Sequence, residues 1–197
     1  MRQYRLLIAG GLVICAVAAI AMPAQAAEHK RHEVRHKRHE AKPAVANPHP
    51  AHEIGSSGPW SAYVADDRTG KVCYLVGQPE KSLPASAHRQ APSAMVTHRP
   101  KEHVFNVVSF VEGYRLKADS EVRLDVGPRK FELFTNGDAA WARTSDLDKE
   151  IVETLAKGRD AVARGIPAHG AATTDTYSLS GFSKALEMID KACDVKR

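Results

Sequence analysis

The chain has 197 residues and a formal net charge of +5 at pH 7. Most of this excess lies near the N-terminus, since residues 54–197 carry 20 basic and 19 acidic side chains. A nucleic-acid-binding surface would concentrate Lys and Arg, so the near-neutral balance of the larger part argues against that class of function. The length predicts one domain with a hydrophobic core of its own.

The first 26 residues have the three-part pattern of a secretory signal peptide. Residues 1–5 are basic, residues 6–22 form an apolar run, and residues 24–26 (Ala-Gln-Ala) supply small side chains for cleavage. We expect processing to leave Ala27 as the N-terminus, with no membrane span in the mature chain. The protein is therefore predicted to reach the periplasm, the cell envelope or the medium.

Residues 27–58 differ in composition from the rest of the chain. They are rich in His, Lys and Arg, then in Ala and Pro, and contain few large apolar side chains. Such a segment buries too little apolar surface to offset the entropy of ordering it. We therefore predict a disordered tether over 27–58 and a folded domain over 59–197.

Four histidines of this tether are spaced by three, four and three residues: His29, His32, His36 and His39. On a helix they would share one side, and imidazoles so placed bind Zn²⁺, Cu²⁺ or Ni²⁺. The alternative, which we favour, is a solvated, pH-sensitive basic tail, because no Cys or Asp completes a site. The sequence thus predicts weak metal binding at most, and no other cofactor.

Short segments of β character follow from Trp60 onwards. Several alternate apolar and polar residues, which predicts one buried and one solvated face. Gly127-Pro128-Arg129-Lys130 and Asn136-Gly137 indicate hairpin turns. Residues 78–92 indicate a long loop, and Trp60 and Trp141 are expected to be core anchors. The predicted strands cover residues 60–64, 71–76, 94–98, 103–111, 121–126, 130–134, 140–142, 161–165 and 173–179.

Two amphipathic helices complete the pattern. In the first, Ser145 is the expected cap, apolar residues recur at 147, 151 and 155, and Gly158 follows the last turn. In the second, Ser180 is the expected N-cap, and apolar residues recur at 182, 186, 189 and 193. The predicted fold is mainly β, a sandwich or partly open barrel, with these two helices, the second C-terminal.

Cys73 and Cys193 are the two cysteines left after the leader, which contains Cys15, is removed. Paired cysteines are typical of exported proteins, so we predict a disulfide with a Cα separation of roughly 4.4–6.8 Å. Closing a loop of this length is worth about 4–5 kcal/mol in the chain-entropy model. Two buried thiols are the alternative.

The sequence offers no local pattern of a catalytic site. It contains no nucleophile elbow, phosphate-binding loop, paired-cysteine zinc motif or metalloprotease helix. A triad of Asp175 with a serine and a histidine is conceivable, but we interpret Asp175 as a polar residue facing out of its strand. The candidate histidines of the domain are His88, His98, His103 and His169.

Several short motifs, in order along residues 58–195, resemble the invasion-associated locus B family. They are Trp60, Gly70-Lys71-Val72-Cys73-Tyr74, Pro79-Glu80-Lys81, Thr97-His98-Arg99-Pro100, Gly113-Tyr114, Ala140-Trp141, the stretch from Thr174 to Phe182, and Ala192-Cys193. The resemblance implies an exported alphaproteobacterial protein of a family named for a role in host-cell invasion. It implies no catalytic or cofactor-binding residue.

Two classes of function remain. The first is a non-catalytic interaction module of the periplasm or envelope, with an envelope or host protein as partner and with the 78–92 and 165–172 loops as contact surfaces. The second is a periplasmic metal-binding or metal-buffering protein acting through the His-rich tether. We favour the first, and predict that the protein is not an enzyme.

Overall fold

The computed structural model describes residues 49–85 and 89–197, and within them eleven β-strands and two α-helices. The first six strands are β1 (His49–Ser57), β2 (Trp60–Asp67), β3 (Gly70–Gly77), β4 (Lys81–Leu83), β5 (Ser93–Arg99) and β6 (Val104–Val111). The others are β7 (Glu121–Val126), β8 (Arg129–Asn136), β9 (Ala139–Trp141), β10 (Asp160–Gly165) and β11 (Thr173–Ser178). The helices are α1 (Ser145–Lys157) and α2 (Phe182–Ala192).

All eleven strands belong to one antiparallel sheet that does not close. Its order is β1-β2-β3-β5-β6-β9-β8-β7-β10-β11-β4. The sheet curls, which brings β2 close to β11 although the two strands are far apart in this order. The Trp60 indole at the start of β2 donates a hydrogen bond of 2.9 Å to the Ser178 carbonyl at the end of β11. The predicted class, mainly β with two helices, is confirmed.

The strand β1 lies inside the segment that the sequence predicted to be a disordered tether, and that prediction is wrong for these residues. Composition favours disorder there, but β1 pairs along β2 from His49 opposite Asp66 to Ser57 opposite Trp60. Backbone pairing supplies hydrogen bonds that do not depend on large apolar side chains. The folded domain therefore begins about ten residues before the predicted boundary.

The strand β4 lies inside the predicted 78–92 loop. Its residues Lys81–Leu83 pair with Thr174–Thr176 of β11, so the segment that leaves β3 crosses to the opposite edge of the sheet. A strand of three residues has no periodicity to detect, which is why the sequence did not reveal it.

The two predicted hairpins are present, but both turns differ in extent from the prediction. Gly127 and Pro128 alone form the β7–β8 turn, since Arg129 and Lys130 already belong to β8, and the β8–β9 turn consists of Gly137 and Asp138, one residue later than predicted. Gly137 has a φ of 67°, a left-handed conformation that glycine adopts without strain.

Both helix caps differ from the prediction. At α1 the Thr144 hydroxyl, not that of Ser145, accepts from the Leu147 amide. At α2 the N-cap is Gly181, with φ of 83°, and no side chain caps the helix, so the Ser180 prediction is wrong. A Cβ on Gly181 would lie 2.3 Å from the Ser57 carbonyl oxygen, so close backbone approach outweighs hydroxyl capping here.

The core lies between the inner face of the sheet and the two helices. Ile151 and Leu155 of α1 are buried as predicted, as are Phe182, Leu186 and Ile189 of α2. Each such side chain stabilises the fold by roughly 1.5–3 kcal/mol. Trp60 is buried and packs edge-on against Phe182, whereas Trp141 is only half-buried. Within the described residues, neither helix is long and apolar enough to span a membrane.

Candidate functional site

The structure joins Cys73 of β3 to Cys193 at the end of α2 in a disulfide, as predicted. Their Cα atoms are 6.0 Å apart, and both residues are buried. The bond fixes the C-terminal helix to the sheet across 120 residues of sequence. This arrangement favours an oxidising compartment.

His98 belongs to a partly buried cluster beside this disulfide, which we call the histidine cluster (His98, Asn106, Asp190 and Arg197). His98 faces Cys73 across the β3–β5 pair and is fully buried. The Nδ1 atom of His98 accepts from the Asn106 amide at 3.0 Å, which leaves the proton on Nε2, 2.9 Å from Asp190 Oδ1. His98 is therefore a structural residue held on both sides.

Arg197 completes the hydrogen bonding of Asp190. Its guanidinium donates to Asp190 Oδ1 at 2.9 Å and to Oδ2 at 2.5 Å, and also to the Asn106 side chain at 2.7 Å. Burial raises the pKa of Asp190, but the hydrogen bonds from His98 and Arg197 outweigh it and hold the pKa below its ordinary value. Asp190 thus remains charged at neutral pH.

A second buried cluster, which we call the arginine cluster, consists of Ser82, Arg89, Glu112, Tyr114, Thr173 and Asp175. Arg89 enters from the loop after β4 and donates to both oxygens of Asp175, at 2.8 and 2.5 Å. The Ser82 hydroxyl donates to Asp175 Oδ1 at 2.6 Å. Asp175 is fully buried, so the prediction that it faces out of its strand is wrong.

Glu112 is the second carboxylate of the arginine cluster, and it is less well paired. Its Oε2 atom lies 3.2 Å from the Tyr114 hydroxyl, 3.4 Å from the Thr173 hydroxyl and 3.7 Å from Arg89 Nη1. Its Oε1 atom is buried without a hydrogen-bond partner among the described residues. Gly165 makes room for this group, because a Cβ there would lie 2.9 Å from Glu112 Oε2.

The environment of Glu112 favours its neutral form. Burial is the main cause, and the nearby charge of Asp175 adds to it, so the pKa of Glu112 is raised to about 7. Hydrogen bonds from Tyr114 and Thr173 and the charge of Arg89 oppose this shift without cancelling it. Glu112 is therefore half-protonated near neutral pH.

The described residues do not form the triad that the sequence left conceivable around Asp175. Asp175 contacts Arg89 and Ser82, and no imidazole takes part in its described hydrogen bonds. His103 ends a short 3₁₀ helix in a left-handed conformation, and His169 is exposed in the loop before β11. His88 lies outside the described residues. Among the described residues, Asp175 therefore has no histidine partner for a triad.

The metal hypothesis is not tested by the structure. The four histidines at positions 29, 32, 36 and 39 lie outside the described residues. Within the described part of the chain, no group of three or more His, Cys, Asp or Glu side chains is placed to hold a metal ion. Weak metal binding by the N-terminal histidines stays a prediction.

Four residues of the arginine cluster were not predicted from the sequence: Arg89, Glu112, Tyr114 and Thr173. A signal for Glu112 was present, because Val108, Phe110 and Glu112 continue the inward phase of β6 at every second residue. The same alternation places Thr173, Asp175 and Tyr177 inward on β11. No pattern of the 78–92 segment points to Arg89, because its position depends on how the loop folds back.

Two exposed aliphatic side chains flank the start of β11, and we call them the β11 patch (Leu83 and Ile166). Leu83 is 46% exposed and lies opposite Thr174, whereas Ile166 is 45% exposed and follows Gly165, which lies opposite Thr173. Their strands are separated by β11 alone, so the backbones are roughly 10 Å apart. The patch belongs to the two loops that the sequence predicted as contact surfaces.

Surface clefts lie elsewhere. One of about 550 Å³ borders β8 and α1 and is lined mainly by charged side chains, including Arg129, Glu132 and Glu150. Arg129 and Glu150 form an ion pair there. The carboxylates of the histidine and arginine clusters do not line this cleft, although Glu121, whose pKa a hydrogen bond from Arg143 lowers, does.

The chain is similar in fold to the crystal structure of invasion associated protein B from Bartonella henselae, with a TM-score of 0.51 and 20% sequence identity. The match covers 71% of this chain and 97% of that one. At this identity the likeness concerns the fold alone. No curated protein matches the chain. Residues 60–190, about two-thirds of the chain, match the family described as invasion associated locus B (IalB) protein. The chain therefore belongs to the invasion associated locus B family.

Proposed function

We propose that the protein is an exported, non-catalytic interaction module that binds an envelope or host protein through the β11 patch. Its family and its fold fit an invasion-associated protein. The proposal adds a compartment, a binding surface and the absence of turnover. Each of these has its own support.

The observation that carries the proposal is the exposure of Leu83 and Ile166 at one end of the sheet. Among the described residues, four large hydrophobic side chains are more than a third exposed, and these two are the most exposed of them. Apolar groups on loops that a rigid sheet positions are common contact points for partners. Hydrogen bonds anchor the loop of Ile166, because its carbonyl accepts from the Lys117 amide at 2.8 Å.

The distribution of ionisable groups supports binding without turnover. The buried carboxylates hold arginine, histidine and hydroxyl partners within the domain and do not line the clefts. Catalysis needs a nucleophile and a base that both reach a bound substrate. Among the described hydrogen bonds, no serine or threonine hydroxyl is paired with a histidine.

Export is supported by the sequence and by the disulfide. The basic, apolar and small-residue pattern of residues 1–26 is that of a cleaved leader. The Cys73–Cys193 bond is of the kind that persists outside the reducing cytosol. An envelope or extracellular location follows as part of the proposal.

The test is capture of proteins from envelope extracts and from host-cell surface extracts by the purified mature protein. The double variant Leu83→Asp with Ile166→Asp places charge on the patch and should abolish capture. The matched control is Val104→Asp, because Val104 is 37% exposed on β6, away from the patch. We expect the control to capture the same partner as the wild type.

Two outcomes would contradict the proposal. Equal capture by the patch variant and the wild type would show that the surface lies elsewhere. Saturable turnover of a defined substrate by the purified protein, lost with Asp175→Asn, would show an enzyme. Mass measurement of the exported chain checks the compartment, with Ala27 expected as its first residue.

A further inference from the structure

We propose that Glu112 acts as a pH-sensitive latch beneath the β11 patch. In its neutral form Glu112 keeps Arg89, Gln90 and the edge strand β4 in their observed contacts, and its ionisation loosens these contacts. The consequence for partner binding rests on the proposed function, whereas the latch itself belongs to the fold. The latch would regulate how firmly Leu83 and Ile166 are held in place on the surface.

The latch consists of one cation and two carboxylates in a buried site. Glu112 and Asp175 are both fully buried, and Arg89 is the guanidinium beside them, with a side chain 5% exposed. Two tyrosines also face the site, Tyr114 from the following loop and Tyr177 from β11. Arg89 donates two hydrogen bonds to Asp175, and the negative charge of Asp175 offsets much of the attraction between Arg89 and Glu112.

An ionised Glu112 is therefore poorly compensated. Its Oε1 atom has no partner among the described residues, and its Oε2 atom has contacts of 3.2 Å to Tyr114, 3.4 Å to Thr173 and 3.7 Å to Arg89. A buried charge without sufficient hydrogen bonds destabilises the folded state. Because the pKa of Glu112 is raised to about 7, its ionisation falls between mildly acidic and mildly alkaline pH.

The cluster is joined to the segments that it would release. Arg89 Nη1 donates to the Glu112 carbonyl at 2.9 Å, and the Gln90 amide donates to the Gly113 carbonyl at 3.0 Å. On the other side of Asp175, the Ser82 hydroxyl secures β4, which carries Leu83. Opening the cluster to water would thus affect β4, the Arg89 loop and the start of β11 together.

The sign of the pH dependence follows from the raised pKa. The folded-state pKa of Glu112 lies above its ordinary value of 4.5, so its contribution to stability is fully present below pH 4.5. That contribution is lost as the pH rises through about 7. The latch is therefore closed in mildly acidic conditions and loosened in alkaline ones.

The experiment compares thermal unfolding of the mature wild type and of Glu112→Gln between pH 5 and 8.5. The amide side chain keeps the shape but cannot ionise. We expect equal melting temperatures within about 2 °C at pH 5, and a melting temperature of the variant higher by roughly 5–10 °C at pH 8.5. The difference between the two proteins should grow progressively between pH 4.5 and about pH 7 and level off above it. Glu132→Gln, at an exposed position of β8, is the matched control and should show no such change.

Hydrogen exchange of the wild type alone tests the latch without a variant. After correction for the chemical effect of pH, amides of residues 81–83 and 89–90 should lose protection between pH 6 and 8.5. Amides of α2 should not. A melting-temperature difference that is constant with pH, or unchanged protection in these segments, would overturn the latch.

These measurements use no partner, so they stand apart from the test of the proposed function. Capture that is lost in the patch variant but does not change with pH would leave the proposed function intact and remove the regulatory consequence. A pH-dependent latch in a protein that captures nothing would do the reverse.

Discussion

Asp190 and Glu112 are carboxylates withdrawn from water within the same domain, one in the histidine cluster and the other in the arginine cluster. Both oxygens of Asp190 accept hydrogen bonds, from His98 and from Arg197. Glu112 has one unpartnered oxygen and shares its nearest cation with Asp175. The pKa of Asp190 is consequently lowered, and that of Glu112 is raised to about 7. Burial raises the pKa of both acids, and the hydrogen bonds that each carboxylate accepts decide whether the pKa ends above or below its ordinary value.

The two clusters also differ in how they are tied to the fold. Cys193 follows α2, the helix that carries Asp190, and its disulfide to Cys73 fixes the histidine cluster covalently. The arginine cluster is held by hydrogen bonds to Arg89 and by the short strand β4. The first cluster should therefore be the more rigid, and the second the more responsive to its surroundings.

The largest expected effect comes from removing the covalent tie. Cys193→Ser should lower the free energy of unfolding by about 4–5 kcal/mol, because the unfolded chain regains the freedom of a 120-residue loop. Urea unfolding of the variant and of the reduced wild type measures this loss. Losses below about 1 kcal/mol in both proteins would mean that the bond does not stabilise the histidine cluster.

Removing one arginine from each cluster tests the comparison directly. Arg89→Met leaves Asp175 buried without its cation and should cost about 3–5 kcal/mol. Arg197→Met should cost about 1 kcal/mol, because the Arg197 side chain is 34% exposed and His98 still donates to Asp190. Urea unfolding at pH 7 separates the two. Equal losses would contradict the different dependence of the clusters on their cations.

Neutralising the better-paired acid should give a pH dependence opposite in sign to that of Glu112. Asp190→Asn should lower stability at neutral pH by about 1–2 kcal/mol, since hydrogen bonds to a charged acceptor are lost. The folded pKa of Asp190 lies below its ordinary value of 3.8, so the contribution of the carboxylate is present above that pH. The loss should shrink as the pH falls below 3.8. A loss that grows on acidification would contradict this account.

The smallest effect is expected on the exposed outer face. Asp125 there accepts from Arg123 at 2.9 Å and from Arg164, whose side chain is 46% exposed. Solvent screens such pairs, so Arg164→Met should change stability by no more than about 0.5 kcal/mol. Thermal unfolding checks this. A loss as large as that of Arg89→Met would mean that burial does not distinguish the pairs.

The sequence predicted features that repeat or that use a distinctive residue. Alternation predicted strands such as β7, apolar spacing predicted the buried faces of α1 and α2, and glycine predicted the hairpin turns. The disulfide followed from the leader and the cysteine count. These features depend on local chemistry, which the order of residues records.

The remaining features depend on long-range approach. Gly181, not Ser180, caps α2 because the turn lies against the Ser57 carbonyl, more than 100 residues away in sequence. Asp175 was assigned to the wrong face because its partner Arg89 comes from a loop whose path no pattern indicates. Likewise, β1 forms because β2 is there to pair with it, and its own composition favours disorder.

The most direct test of this account is a carbon-13 titration of the carboxyl groups of Glu112 and Asp190 by NMR, in one sample of the oxidised protein. We predict that Glu112 titrates near pH 7 and that Asp190 titrates below its ordinary 3.8. Site-specific variants assign the two signals. Glu112 titrating near 4.5, as an ordinary solvated glutamate does, would contradict the central claim that burial with incomplete pairing controls its charge.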